Sequence, residues 1–206
     1  MAGGQYNVDF SELEKSEKFT SNGYVPSCTA KSVANHNPVC AGKKVGDAIG
    51  KSGMTIGTGV DLGQMNEADL KKLKLPQALH DTLKPYLGKR GIAAHDLPKL
   101  SLKASEAKLI SNKVKDKIIG GIMDKYEHDS GKKFNSLSKD TQTAIVDYFY
   151  QFGPGAMKKG AHADFWKHIT TDEWGKATEF LESQDNYQDR RTRESQLIKR
   201  SDEYKK

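Results

Sequence analysis

SKDTQTAIVDYFYQF, at residues 138–152, is the stretch of sequence that decides the fold of this chain. Its apolar residues recur at helical spacing and form one face of a helix: Ala144, Ile145, Tyr148, Phe149 and Phe152. Gly153 and Pro154 follow directly and are typical of a helix end. The pattern predicts a central helix whose apolar face packs into the core of the protein.

Helical patterns extend in both directions from this central segment. At residues 101–131 apolar side chains again recur every three or four positions, which predicts one long amphipathic helix. From Asn66 to the basic C-terminal segment the pattern is helical almost throughout. Trp166 and Trp174 stand at helical spacing, so we expect both in the core rather than exposed at a ligand surface.

The N-terminal part has a different texture. Asp9 followed by Glu12 is typical of the capped start of a short helix, which would carry Glu17 near its C-terminal end. Residues 23–63 are rich in Gly, Ser, Thr, Val and Pro, with short β-prone pieces. The sequence predicts one mainly helical α+β domain over residues 1–206, with a small β-containing lobe at about 18–65 and a larger helical lobe at about 66–206.

Composition bounds the class of protein and of partner. Hydrophobic residues make up 35% and charged residues 29% of the chain, which fits a soluble globular protein. The formal charge of +6 attracts polyanions, and nucleic acid, anionic lipid and the acidic bacterial wall are all candidates. Acidic residues are interleaved with lysines, as at residues 113–125, which favours solvated helix faces over a binding patch.

The sequence pattern does not predict a membrane-spanning helix or a secretory signal peptide. No apolar run approaches the length of about 18 residues that a transmembrane helix needs, so we expect no membrane insertion. The first residues lack the basic and apolar stretches of a secretory signal peptide. If the target lies outside the cytoplasm, we expect a secretion machine, a lysis pore or an upstream domain to deliver the chain.

The cysteines and histidines do not form a metal-ligand pattern. Cys28 and Cys40 enclose a loop rich in turn-forming residues, and a disulfide between them would contribute about 3 kcal/mol on the chain-entropy model. A disulfide or two free thiols both fit better than a zinc site. His162 and His168 flank aromatic residues without a ligand-like neighbour. We expect no metal and no cofactor.

One run combines glycines with polar side chains. MTIGTGVDLG, at residues 54–63, lets the backbone turn tightly beside a ligand, while Thr55 and Asp61 offer polar groups. A phosphate-binding loop would need a Lys-Ser/Thr pair that is missing here, so we exclude nucleotide binding. An ordinary hairpin with glycines in its turns remains an alternative at this point.

Taken together, four segments resemble the pesticin-type relatives of phage lysozyme. These segments are EKFTSNGYVP at 17–26, TIGTGVDLG at 55–63, DYFYQFG at 147–153 and YQDRRTRE at 187–194. The resemblance covers about residues 10 to 200 and implies a lysozyme-like fold. Asp61 follows Thr55, as in pesticin-like proteins, which favours the toxin-like branch of the family.

The resemblance also implies roles for particular residues. Hydrolysis of a glycosidic bond needs a proton donor for the leaving oxygen and a second polar group that positions water or attacks the sugar. Glu17 would be the general acid, and Thr55 and Asp61 would bind and activate water on the opposite sugar face, with inversion. Tyr24 and Gln151 would contact the substrate.

An arginine of the closing motif completes the implied site. Arg190 would orient Glu17 through a charge-assisted hydrogen bond, and Arg191 or Arg193 could serve in its place.

The implied activity is that of a muramidase, which cleaves the β-1,4 bond between N-acetylmuramic acid and N-acetylglucosamine in peptidoglycan. A lytic transglycosylase and a non-catalytic wall-binding module are the alternatives. We expect a monomer that acts on the wall in the periplasm as an antibacterial toxin or effector domain, with peptidoglycan and an immunity protein as partners and no nucleic acid. A secretion effector, a bacteriocin domain and a phage endolysin would all use this chemistry.

Overall fold

The computed structural model describes residues 6–16, 19–34, 40–49 and 52–205 of the 206-residue chain. These residues form two compact units. The terminal unit comprises the described residues of Met1–Ser16 and Lys115–Lys206, and the middle unit comprises those of Glu17–Val114. The lobe boundary expected near residue 65 lies within the middle unit.

Helices dominate the described residues. In chain order they are α1 (Phe10–Ser16), α2 (Ala30–Ala34), α3 (Glu67–Lys72), α4 (Gln77–Leu83), α5 (Ile92–His95), α6 (Ala104–Ser130), α7 (Lys139–Phe152), α8 (Gly160–Thr170), α9 (Trp174–Glu182) and α10 (Gln188–Arg200). The strands are β1 (Phe19–Tyr24), β2 (Thr55–Thr58) and β3 (Val60–Asp61), which form one antiparallel sheet in the order β1-β2-β3. The predicted mainly helical α+β class is confirmed.

Helix α7 is the central helix predicted from residues 138–152. Ser138 caps its start, because the Ser138 side chain accepts a hydrogen bond from the Thr141 backbone N–H. Gly153 follows its end with a φ of 76°, a conformation that glycine adopts without steric cost. The predicted apolar face is buried except at Phe152, which is 37% exposed.

The terminal unit has its apolar core around α7. Helix α10 packs against both α7 and α9, and α8 packs against α9. Trp166 and Trp174 are 4% and 5% exposed and belong to this core, which confirms the prediction that they pack rather than present a sugar platform. None of the helices in the described ranges combines the length and apolar content that crossing a bilayer requires.

The middle unit has a second core beneath its sheet. Asn66 and Asp69 form the capping box that starts α3. Aliphatic side chains from the sheet and from the helices around it are buried together in this core. This core includes Ile56, Val60, Leu62, Leu70, Leu83 and Ile110. The sheet is therefore supported from one side by the first part of α6, since Ile110 lies on that helix.

Cys28 and Cys40 form a disulfide in the middle unit. Both cysteines are almost fully buried, at 1% and 3% exposure. The adjoining loop is also tied by backbone hydrogen bonds from Cys28 N to Asp47 O and from Gly46 N to Cys28 O, each 2.8 Å. The bridge closes the loop that precedes the strand β2.

Candidate functional site

Strand register brings three of the predicted site residues into one row. Tyr24 on β1 is directly paired with Thr55 on β2, and Thr55 is directly paired with Asp61 on β3. Directly paired residues of antiparallel strands project their side chains to the same face, about 5 Å apart. Tyr24 is 46% exposed, Asp61 is half-buried and Thr55 is 4% exposed. The row thus runs from a solvent-exposed aromatic ring to a recessed hydroxyl and a carboxylate.

The carboxylate of Asp61 is anchored through one of its two oxygens. Its Oδ1 accepts hydrogen bonds from Gly53 N at 3.0 Å and from Gly63 N at 2.8 Å. The second bond also caps the 3₁₀ helix Leu62–Gln64. The other oxygen, Oδ2, accepts no hydrogen bond from the residues that the structure describes. Asp61 therefore has one oxygen that fixes its orientation and one that is available as an acceptor.

Thr55 is oriented in the same way. Its Oγ1 donates to Gly53 O at 3.2 Å, so the hydroxyl proton is already used. A threonine hydroxyl has one proton and two lone pairs, so toward any further partner Thr55 acts as an acceptor. A water molecule that donates one proton to Thr55 Oγ1 and the other to Asp61 Oδ2 would keep its own lone pairs for attack on an electrophilic carbon.

Glycines allow the close backbone approach on which this anchoring depends. A Cβ on Gly53 would lie 2.2 Å from Lys89 O and 2.6 Å from Gly63 Cα, and a Cβ on Gly63 would lie 2.6 Å from the same Lys89 oxygen. No side chain fits at either position. The two glycines can therefore bring both N–H groups to the single Asp61 Oδ1.

Gly57 has a different task in the same hairpin. Its φ is +65°, and a Cβ there would lie 2.1 Å from Ser111 Oγ on α6. Ser111 Oγ in turn accepts a hydrogen bond from Thr58 N and donates to Ala107 O, each at 2.9 Å. The glycine-rich run is thus a hairpin with glycines in its turns, as one interpretation of the sequence predicted. It packs on α6 and also presents the polar row.

Residues 7–175 match the family described as pesticin, a bacterial toxin homologue of phage lysozyme, C-terminal part. The chain belongs to this family. No curated protein matches the chain. Membership in the pesticin family supports a lysozyme-type peptidoglycan hydrolase and thus a glycoside hydrolase that acts on the cell wall. The match ends before α10, so the roles expected of the closing arginine motif stand outside it.

The predicted general acid of this pesticin-type chain, Glu17, lies outside the described residues, as does Lys18. Its proposed contact with Arg190 stays a prediction. Arg190 itself is buried in the terminal unit, where it forms a bidentate ion pair with Asp147: Nε donates to Oδ2 at 3.1 Å and Nη2 donates to Oδ1 at 2.7 Å. Nη2 also donates to the Asp147 main-chain oxygen at 3.0 Å. These contacts fix the guanidinium on α7.

Arg191, the next residue, is also buried and has other partners. It donates to Glu194 Oε2 through Nη1 and to Gln151 Oε1 through Nη2. Its guanidinium lies 4.4 Å from the Tyr148 ring centroid and 5.2 Å from that of Phe152. Gln151, the predicted substrate contact, is half-buried at the end of α7 and is bonded to this arginine.

The buried acids Asp147 and Glu194 were not assigned a role from the sequence. Burial raises the pKa of Glu194 well above its ordinary value, even though Arg191 opposes the shift. Burial also lowers the pKa of Arg191. Asp147 lies in the part of α7 that is buried from Thr141 to Phe149, but it is not on the apolar face that the sequence pattern marks, so the pattern did not indicate its burial. A charged residue on the buried face of a helix requires a partner, and here the partner is Arg190.

His162 and His168 have ordinary protein partners. His162 Nδ1 lies 2.6 Å from Tyr148 Oη, and His168 Nδ1 lies 2.7 Å from Glu173 Oε2. Within the described residues, no group of three His, Cys, Asp or Glu side chains could hold a metal ion.

Proposed function

We propose that this chain is a muramidase, which hydrolyses the β-1,4 bond between N-acetylmuramic acid and N-acetylglucosamine with inversion at the anomeric carbon. The observation that carries the proposal is the row formed by Thr55 and Asp61 across β2 and β3, in a chain that belongs to the family of phage-lysozyme homologues. Both side chains are held through one polar contact each to Gly53 and present acceptors beyond it.

The proposed reaction uses the two carboxyl groups in opposite roles. Glu17 donates its proton to the glycosidic oxygen as the bond from that oxygen to the anomeric carbon breaks. A water molecule held by Thr55 Oγ1 and Asp61 Oδ2 attacks the anomeric carbon from the opposite face and gives a proton to Asp61. The product is a new reducing end of inverted configuration, and proton exchange with solvent restores both carboxyl groups.

Three further residues support this chemistry in the proposal. Tyr24 and Gln151 contact the sugars, and the exposed ring of Tyr24 adjoins Thr55 in the sheet. Arg190 orients Glu17. Its fixed contacts with Asp147 support a positioning role, because a guanidinium held by two hydrogen bonds along its Nε–Nη2 edge has a fixed orientation.

The decisive experiment compares purified wild-type protein, Glu17→Gln and Glu67→Gln on isolated peptidoglycan. Removing a positioned general acid is expected to lower turnover by about 10² to 10⁴. Glu67 is 45% exposed in surface ion pairs with Lys71 and Lys84, so its substitution is expected to leave turnover unchanged. A folded Glu17→Gln protein with most of the wild-type activity would remove Glu17 from the role.

Analysis of the released products separates the alternatives. Hydrolysis yields muropeptides with reducing ends, and NMR of the first product formed reports inversion. Products that end in anhydro-muramic acid would identify a lytic transglycosylase. Sedimentation of the protein with peptidoglycan without release of any product would instead identify a wall-binding module, whose affinity should fall steeply with salt if the basic surface carries it.

We propose an antibacterial toxin or effector as the biological role, with peptidoglycan in the periplasm as its target and an immunity protein as a further partner. The family's description as a toxin homologue supports this setting. The net charge of +6 supports attraction to an acidic wall. Periplasmic expression in a Gram-negative host is expected to lyse cells while cytoplasmic expression is tolerated, and equal growth in both cases would contradict the role.

We also propose that the protein is a monomer, which light scattering would test.

A further inference from the structure

The net positive charge of the chain belongs to one of its two units. The middle unit, Glu17–Val114, contains 15 lysines and arginines against 8 aspartates and glutamates, which gives it a formal charge of +7. The terminal unit contains 18 basic and 19 acidic residues, which gives it a formal charge of −1. The attraction of this protein for polyanions therefore comes from the middle unit.

The two units also differ in how their cations are paired. In the described part of the terminal unit, most lysines and arginines form ion pairs with a carboxylate, as Lys139 does with Asp9. In the described part of the middle unit, Lys71 and Lys84 form ion pairs, and they share the single carboxylate of Glu67. Most of the cations described in the middle unit thus have no carboxylate partner among the described residues.

Three of these cations lie along the outer edge of the sheet. Residues 99–103 run beside β1 and are joined to it by two backbone hydrogen bonds, of 2.7 Å and 2.9 Å. Lys99 and Lys103 stand at the two ends of this segment, and Lys108 follows on α6, with its Nζ 5.9 Å from the Phe19 ring centroid. All three lysines are exposed. We call Lys99, Lys103 and Lys108 the basic edge.

The basic edge adjoins the exposed end of the polar row. Leu100, which directly follows the first lysine of the basic edge, accepts one of the two hydrogen bonds, from Gly23 N. Gly23 precedes Tyr24, and the row continues from Tyr24 to Thr55 and Asp61. A polymer that crosses the row at Tyr24 would therefore meet the basic edge next.

We propose that the basic edge binds carboxylates of the peptides of peptidoglycan, beside the glycan strand that the polar row contacts. The inference rests on the proposed function for the identity of the polymer. In peptidoglycan the lactyl carboxyl of the glycan is in amide linkage to the peptide, so the negative charges belong to the peptides. These charges are spaced apart on flexible chains. Lysines, which act as point charges on flexible stems, suit such a partner better than the rigid fork of an arginine, and the basic edge consists of lysines.

Two triple variants of equal net charge separate this surface from the charge of the whole protein. The edge variant combines Lys99→Gln, Lys103→Gln and Lys108→Gln. The control variant combines Lys158→Gln, Lys159→Gln and Lys167→Gln. The control lysines are exposed in the terminal unit. Each variant lowers the formal charge from +6 to +3, so attraction by the whole-molecule charge would change equally in both.

Binding to isolated peptidoglycan is measured by sedimentation, and turnover by the release of muropeptides. One exposed ion pair changes an affinity by about twofold, so the edge variant is expected to bind about eightfold more weakly, and the control variant like the wild type. The difference should shrink between about 0.01 M and about 0.15 M ionic strength, because the Debye length falls from about 30 Å to about 8 Å. The edge variant is expected to have a higher KM and an unchanged kcat, since Thr55 and Asp61 are left in place.

Peptidoglycan whose carboxyl groups have been amidated tests the partner. On this polymer the wild type is expected to lose its advantage over the edge variant. The inference is overturned if that advantage persists, or if the edge variant binds native peptidoglycan as tightly as the control variant does. Tighter binding of the wild type to anionic phospholipid vesicles or to DNA than to peptidoglycan, with the same dependence on the basic edge, would assign the surface to phosphates and also overturn the inference.

The proposed function is tested separately by the same proteins. A wild-type protein that binds through the basic edge but releases no muropeptide would leave this inference standing while hydrolysis fails. An active edge variant with unchanged binding and unchanged KM would leave hydrolysis standing and remove the inference.

Discussion

Substitutions of Asp61 can separate the structural role of its Oδ1 oxygen from the catalytic role proposed for its Oδ2 oxygen. Asp61→Asn keeps an oxygen that can accept from both Gly53 N and Gly63 N, and it replaces the outward Oδ2 by an NH₂ group. Asp61→Ala removes both backbone contacts as well. The first change therefore tests the acceptor that the proposed water needs, and the second adds the structural loss.

The expected magnitudes follow from the two hydrogen bonds. A bond to a charged acceptor contributes about 1.5–3 kcal/mol and one to a neutral acceptor about 0.5–1.5 kcal/mol. Asp61 is half-exposed, which reduces the benefit of its charge. Asp61→Asn is therefore expected to lower the free energy of unfolding by about 1–2 kcal/mol. Asp61→Ala leaves the N–H groups of the buried Gly53 and Gly63 without a partner and is expected to cost about 3–5 kcal/mol.

Urea denaturation and steady-state turnover on peptidoglycan measure the two effects. Both variants are expected to lose about 10²-fold or more in turnover at a temperature where each is folded, with a smaller change in wall binding. The reasoning fails if Asp61→Asn turns over peptidoglycan at close to the wild-type rate. It also fails if Asp61→Asn is as unstable as Asp61→Ala, since Oδ1 would then not be the anchor.

The buried ionic cluster gives two further predictions. Asp147→Asn breaks the bidentate pair with Arg190 and is expected to lower the free energy of unfolding, measured by urea denaturation, by about 3–5 kcal/mol. Asp140→Asn, at a surface pair with Arg200, is the control and should lower it by under about 1 kcal/mol. Equal losses in the two variants would contradict the role of the buried pair. Burial raises the folded pKa of Glu194, so unfolding releases its proton and wild-type stability falls as pH rises above the ordinary value of 4.5. Gln at position 194 does not titrate, so Glu194→Gln should gain stability relative to the wild type as the pH rises above 4.5, and a flat or falling difference would refute the raised pKa.

Elements that depend on local signals could be predicted from the sequence. Ser138 and Gly153 bound α7 as the pattern of residues 138–152 indicates, and Asn66 starts α3 through its capping box. The apolar periodicity at residues 101–131 corresponds to α6, which runs from Ala104 to Ser130. In each case side chains and backbone within a few residues determine the boundary, so no tertiary information is needed.

The strand register could not be predicted in this way. Every residue of β2 is buried, so the strand lacks the alternation of polar and apolar residues that would reveal its faces. The pairing of β1 with β2 also shifts register between Thr20 and Tyr24. The alignment of Tyr24 with Thr55 depends on that irregularity. The family resemblance pointed to these residues, while their arrangement in a row required the structure.

The ionic cluster was missed for a related reason. Asp147 and Arg190 lie far apart in sequence, and their contact depends on how α10 packs against α7. The apolar pattern of residues 138–152 indicates neither that Asp147 is buried nor which cation reaches it. Glu194 lies three and four residues after Arg191 and Arg190 on α10. Ion pairs on an exposed helix surface have the same spacing, so the sequence does not show that this pair is buried.

In both units a polar side chain is held through one of its oxygens by neighbouring N–H donors. The atom that is left for a ligand is an acceptor in one unit and a donor in the other. In the middle unit, backbone donors saturate one oxygen of Asp61, and what remains toward a ligand is an acceptor. In the terminal unit, Arg191 donates to the oxygen of Gln151, and the other end of that amide is a donor. Because each side chain is already held in one orientation, little conformational entropy is lost when a ligand binds, and a group with mismatched hydrogen-bonding character is disfavoured. Asp61→Asn is therefore expected to lower turnover more than wall binding, because it replaces the acceptor that the proposed water needs by a donor and leaves the anchoring oxygen in place.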